Sequence, residues 1–173
     1  MSVTRPGAAA YISQKWVGIP MFRRFDPCEC SCEDHGMQPF AANIGLAAWR
    51  SRDFRCAFWT GKNLQMTLMN IPLCGEIGLE VHPHTDQFLR VEQGQAKVWM
   101  GESREQLSFC RELEPGDGVF VPAGTWHNVV NTGNRILKLS SIYAPPEHAA
   151  GTVHHTREDA LKAEAEENAQ AET

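Results

Sequence analysis

Residues 116–131 read GDGVFVPAGTWHNVVN, and this stretch decides the fold. It divides into a glycine turn at Gly116 to Gly118, a short apolar run from Val119 to Val121, a second turn at Pro122 to Gly124, and a further run from His127 to Asn131. Glycine tolerates positive φ and proline presets a bend, so runs of this length between such residues read as short strands in an antiparallel sheet. The Pro-x-Gly turn aims His127 at the start of a strand.

The same pattern continues on both sides. From Phe40 to about Ala144, short runs rich in Val, Ile, Leu, Phe and Trp are broken every eight to twelve residues by turn signals, which predicts an all-β antiparallel sandwich or barrel. Strands are expected at 55–60, 64–71, 77–82, 87–92, 96–100, 106–110, 119–121, 127–131 and 136–143. Residues 1–39 carry four prolines and no sustained period and read as an irregular, Cys-containing arm. Residues 40–146 form the barrel, and residues 147–173 a polar tail, partly helical, opened by a capping-box pattern of Thr156 and Asp159 and expected to be solvated.

The formal charge is −5, and the last seventeen residues supply −4 of it. The remainder is near neutral and has no basic stripe, which argues against nucleic acid or an anionic membrane surface as partner. No apolar run approaches the roughly 20 residues that cross a bilayer, and the N-terminus lacks a basic region followed by an apolar stretch, so the chain is expected to be cytoplasmic. In that setting Cys56, Cys74 and Cys110 read as small buried side chains. The cluster Cys28, Cys30, Cys32 and His35 has the residue types of a zinc site, but its one-residue gaps wrap a tetrahedron poorly, and an oxidisable thiol arm is the alternative.

Residues 80–87 read EVHPHTDQ and concentrate donor atoms in an apolar region. In an extended strand Glu80 and His82 share a face, and a turn at Pro83 passes the chain to a strand beginning near Gln87. With His127 arriving from the stretch above, two imidazoles and two oxygen donors can converge on one cation.

Together these stretches resemble the motifs of the cupin superfamily. Gly116, Pro122, Gly124, His127 and Asn131 match every fixed position of its second motif, and Gly94 anchors the end of the first, placing Gln87 where that motif has a glutamate. Two registers compete for the preceding His-x-His. Pairing His82 with His84 leaves one residue too few before Gln87, whereas pairing Glu80 with His82 gives an allowed spacing with Pro83 directly after it. The second register implies the ligands Glu80, His82, Gln87 and His127, with His84 as an alternative ligand or a neighbour of the site. The resemblance implies a cupin-type antiparallel β-barrel (double-stranded β-helix, or jelly roll) with an irregular N-terminal arm and a short C-terminal helix.

That donor inventory is similar to the zinc site of cupin-type mannose-6-phosphate isomerases, and the whole chain resembles the small single-domain members named after them. What this implies is one divalent metal ion, zinc foremost, with Mn, Fe or Ni also compatible, and a small polar, sugar-like ligand in an isomerase-like site. An Fe- or Mn-dependent dioxygenase and a non-catalytic sugar-binding or sensor module are the alternatives. The catalytic residues are unassigned, Trp126 is a candidate for the pocket rim, and a homodimer is the expected assembly.

Overall fold

The computed structural model describes residues 32–171, with side chains up to Glu166. The elements are α1 (Ile44–Arg50), β1 (Arg55–Thr60), β2 (Gln65–Ile71), β3 (Asp86–Gln93), β4 (Ala96–Gly101), β5 (Phe109–Leu113), β6 (Gly118–Val121), β7 (Trp126–Asn131), β8 (Leu137–Ala144), β9 (Val153–His154) and α2 (Arg157–Ala171). They form a six-stranded sheet in the order β6-β3-β8-β2-β1-β9 facing a three-stranded sheet β5-β4-β7, with all named pairings antiparallel. This is the expected all-β barrel with a C-terminal helix.

Register sorts the barrel interior into a dry end and a wet end. At one end Ile71 opposes Leu137, and Met69, Leu139 and Val91 align across β2, β8 and β3. From the other sheet Ala96, Val98, Met100 and Val129 join them in one apolar cluster, each side chain larger than alanine contributing roughly 1.5–3 kcal/mol when fully buried. Two residues further along each strand the rows become Thr67, Ser141 and Leu89, then Gln65, Tyr143 and Gln87, all 5% exposed or less. Because side chains alternate across a strand, these polar groups point into the same interior as the apolar ones and gather at one mouth of the barrel.

Two expected strands are corrected. Residues 77–82 make only one isolated bridge to β7, at Glu80, with another at Glu76 just before them, because Gly78 sits at φ +109° and breaks the ladder between the two. The strand expected at 106–110 begins at Phe109 instead. The chain after β4 folds back so closely that a Cβ on Gly101 would lie 1.8 Å from the Gln106 carbonyl oxygen, which takes the intervening residues out of the ladder.

The helix α1, not expected from the sequence, is capped by the Asn43 side chain accepting from Leu46 N at 3.0 Å. At its other end the Lys138 ammonium donates to the carbonyls of Ala48 and Ser51 at 3.0 and 2.8 Å. Ala48 then covers Cys56, Phe58 and Leu68 on the outer face of the large sheet.

The cysteine expectations also change. Cys56 is buried but is joined to Cys32 in a disulfide, and Cys74 is exposed. With its sulfur in that bond Cys32 is no zinc thiolate, and His35 stacks on Phe40 at 4.1 Å. Cys28 and Cys30 lie outside the described residues.

The C-terminal helix is docked rather than solvated. Its capping box forms as expected, Thr156 N donating to Asp159 Oδ2 at 2.9 Å and Asp159 N to Thr156 Oγ1 at 3.2 Å. Beyond it Ala160 is 2% exposed within the main core, and Arg157 donates to Glu76 at 3.0 Å. No helix among the described residues is long and apolar enough to cross a membrane.

Candidate metal centre

The interruption at Gly78 delivers Glu80 directly opposite His127. Glu80 N donates to His127 O at 3.0 Å and His127 N to Glu80 O at 2.9 Å, so the two side chains leave the same face as cross-strand neighbours. Glu80 Oε1 lies 3.3 Å from His127 Nε2 and 3.4 Å from His82 Nε2. One ligand atom from each of Glu80, His82 and His127 falls within 4.8 Å of the others, a spacing suited to a single ion.

The other nitrogen of each imidazole is already engaged. His127 Nδ1 faces the Thr125 carbonyl at 3.0 Å, an acceptor that requires Nδ1–H and leaves the Nε2 lone pair free. His82 Nδ1 contacts Glu147 Oε1 at 3.0 Å, the carboxylate–histidine pairing that orients a ligand and raises its basicity. Gln87 donates its amide to Ser141 Oγ at 3.0 Å. As a result Glu80 Oε1, His82 Nε2, His127 Nε2 and Gln87 Oε1 are all buried without a hydrogen-bond partner. Glu80 Oε1 and the two Nε2 atoms have only their mutual contacts of 3.3 and 3.4 Å, and a divalent cation would satisfy donors of this chemistry more fully.

Burial opposes the charge on Glu80, but contacts with His127, His82 and Arg55 outweigh it and hold the carboxyl well below the usual range. Burial likewise opposes protonation of His82, yet Glu147 and Glu80 raise its pKa to about 9. Burial drives His148 down to about 3, so this imidazole is neutral.

Above these atoms a cavity of about 460 Å³ opens to solvent, lined by Glu80, His82, Trp126, Arg104, Glu147 and Glu164 among others. Trp126 is among the residues lining this cavity, with the Arg104 guanidinium 4.6 Å from its ring centre. His84 is exposed in the turn after Pro83 and stays outside the cluster.

Several residues of the site escape a reading of the sequence. Glu147 and His148 follow the last long strand, and the acid–imidazole pair just beyond Pro145 and Pro146 was the available signal. Arg55, 1% exposed, contacts Glu80 Oε2 at 3.5 Å and Glu164 Oε1 at 3.0 Å, and no local pattern announces a partner 109 residues away.

The remaining motif positions are structural. Gly124, at φ +78°, donates to His82 O at 2.8 Å and ties the two ligand-bearing segments together. The Asn131 amide nitrogen reaches the carbonyls of Ile71, Pro72 and Arg135 at 2.8–3.0 Å. Gly94, at φ +92°, approaches the Leu137 backbone so closely that a Cβ would meet its Cα at 3.0 Å.

Residues 67–143 match the family model for a cupin domain. The chain belongs to the cupin superfamily. This cupin is 54% identical over 132 residues to YrkC of Bacillus subtilis (strain 168), covering 76% of this chain and 71% of that protein. It is 31% identical over 117 residues to L612 of Acanthamoeba polyphaga mimivirus, covering 67% and 71% respectively. The crystal structure of BH2720 from Bacillus halodurans is similar over 75% of this cupin and 98% of that chain, with 55% identity and a TM-score of 0.74.

Proposed function

We propose that this cupin holds one divalent metal ion through Glu80, His82, His127 and Gln87, and that it receives a small, neutral, sugar-like molecule through the mouth above them. The observation that carries the reading is the convergence of buried, partnerless ligand atoms whose neighbouring nitrogens are already fixed. A bound metal supplies Lewis acidity, polarising an oxygen of the ligand. Glu147 keeps His82 in its ligating orientation, and Gln87 contributes the fourth ligand atom, an amide oxygen, from β3.

Charge at the mouth favours a neutral ligand. Glu80, Glu147 and Glu164 together offset a divalent ion and Arg55, which leaves Arg104 as a lone cation at the mouth rather than a cluster that would hold an anion. Glu147 and Glu164 provide acceptors for hydroxyl groups, and the Trp126 indole provides an apolar wall, a combination suited to a polyhydroxylated molecule. Arg104 lines the cavity against two carboxylates outside the ligand set, a poor setting for a phosphate. Sugar isomerisation is the chemistry that the mannose-6-phosphate-isomerase resemblance adds to this reading.

The test is elemental analysis of protein purified without added metal, followed by thermal-shift screening with neutral sugars and sugar phosphates. Stoichiometric zinc with stabilisation by neutral sugars supports the proposal. Failure to take up any divalent ion overturns it, and iron with substrate-dependent oxygen consumption replaces it with the dioxygenase reading.

A further inference from the structure

The C-terminal helix reaches the metal centre through one chain of charges. Arg55 is fully enclosed, its guanidinium placed between two carboxylates, with Nη2 3.5 Å from Glu80 Oε2 and Nη1 3.0 Å from Glu164 Oε1. Glu80 and Arg55 belong to the barrel, whereas Glu164 comes from α2. The helix is held in register for this contact by Arg157 on Glu76 at its start and by Ala160 in the core one turn before Glu164.

We infer that Glu164 is a positioning residue for the metal ligand Glu80, acting through Arg55, so that α2 completes the metal centre. The inference rests on the metal reading above. A buried guanidinium beside Glu80 fixes that carboxylate with Oε1 toward His82 and His127, but it also places a positive charge next to an incoming dication, where a low dielectric strengthens the repulsion. Glu164 offsets it. Glu80, Arg55 and Glu164 together carry one net negative charge, and without the Glu164 carboxylate they carry none. The Glu164 side chain is 38% exposed at the cavity rim, so its substitution by a group of the same shape leaves the core intact.

The experiment is zinc affinity, measured by competition with a chromophoric chelator at fixed pH, for the full chain and its E164Q, E164D and E166Q variants. Outer partners of metal ligands are worth 10–100-fold in affinity, so E164Q, one contact further out, is expected to weaken zinc binding by about tenfold. E164D, which keeps the charge, recovers most of that loss. E166Q, which removes an exposed charge from the same helix, matches the wild type. Unchanged affinity in E164Q, or equal losses in E164Q and E166Q, overturns the role of Glu164 and leaves the metal site standing. A wild-type chain that binds no zinc or other divalent ion overturns both.

Discussion

Glu80 and His127 are cross-strand partners, joined by two reciprocal backbone hydrogen bonds of 3.0 and 2.9 Å and by a 3.3 Å contact between Oε1 and Nε2. The pairing holds the carboxylate beside the imidazole, and it orders the expected effects of substitution. Glu80→Ala and His127→Ala each lower zinc affinity by roughly 100-fold or more, since each removes a direct ligand. Gln87→Ala, which deletes a weaker amide ligand, costs less, about tenfold, and His84→Ala leaves the metal content unchanged. Elemental analysis of the four variants decides the ligand register, and metal loss in His84→Ala with retention in Glu80→Ala would reverse it.

With His82 as a ligand, metal uptake is expected to depend on pH. In the metal-free protein its pKa is raised from 6.5 to about 9 by Glu147 and Glu80 against the opposing effect of burial, so it carries a proton at neutral pH. The metal must expel that proton. Zinc affinity should therefore rise with pH between 6.5 and about 9, by roughly tenfold per unit if one proton is displaced. Chelator competition across this range measures the slope, and a flat profile is incompatible with His82 as a protonated ligand.

The stability of the metal-free protein should move in the opposite direction. A histidine whose folded pKa exceeds its unfolded value stabilises fully below the unfolded value and loses that contribution as pH rises through the folded one. For His82 the loss falls between 6.5 and about 9. Glu147, held down to about 2 by His82, contributes fully above its ordinary value of 4.5 and loses that contribution as pH falls toward 2. Thermal melts of chelator-treated protein should fall from pH 6.5 to 9, with a shallower slope in His82→Gln; equal slopes would remove the pair from the account.

The disulfide between Cys32 and Cys56 spans 24 residues of sequence. Closing a loop of that length restricts the unfolded chain and stabilises the fold by about 3 kcal/mol, so reduction with a phosphine should lower Tm by several degrees. Cys32→Ser should reproduce the drop and be insensitive to the reductant, while Cys74→Ser, on the surface, should melt as the wild type does.

Asn131 is 3% exposed and supplies amide contacts to three carbonyls, besides accepting from Gly133 N at 3.0 Å. Asn131→Ala should cost about 2–3 kcal/mol by leaving these backbone groups unpaired, without removing any metal ligand. A denaturant midpoint unchanged from the wild type would refute this structural role.

By itself the sequence determined the barrel, most of its strands and the pairing of Glu80 with His82 and His127, because these depend on local periods: alternation along strands, turns at Gly94, Gly116 and Gly124, and ligands a few residues from such turns. Gly78 also belongs to that local information, but a single glycine in a strand-like run does not say whether it bends or breaks the ladder. Packing of the barrel was needed to show that Cys56 pairs with Cys32, that Lys138 closes α1, and that Glu147 and the Arg55–Glu164 pair surround the candidate metal centre. Each of these links residues far apart in the chain, where spacing carries no signal and the partner is chosen by which buried charge or sulfur the packed barrel brings within reach.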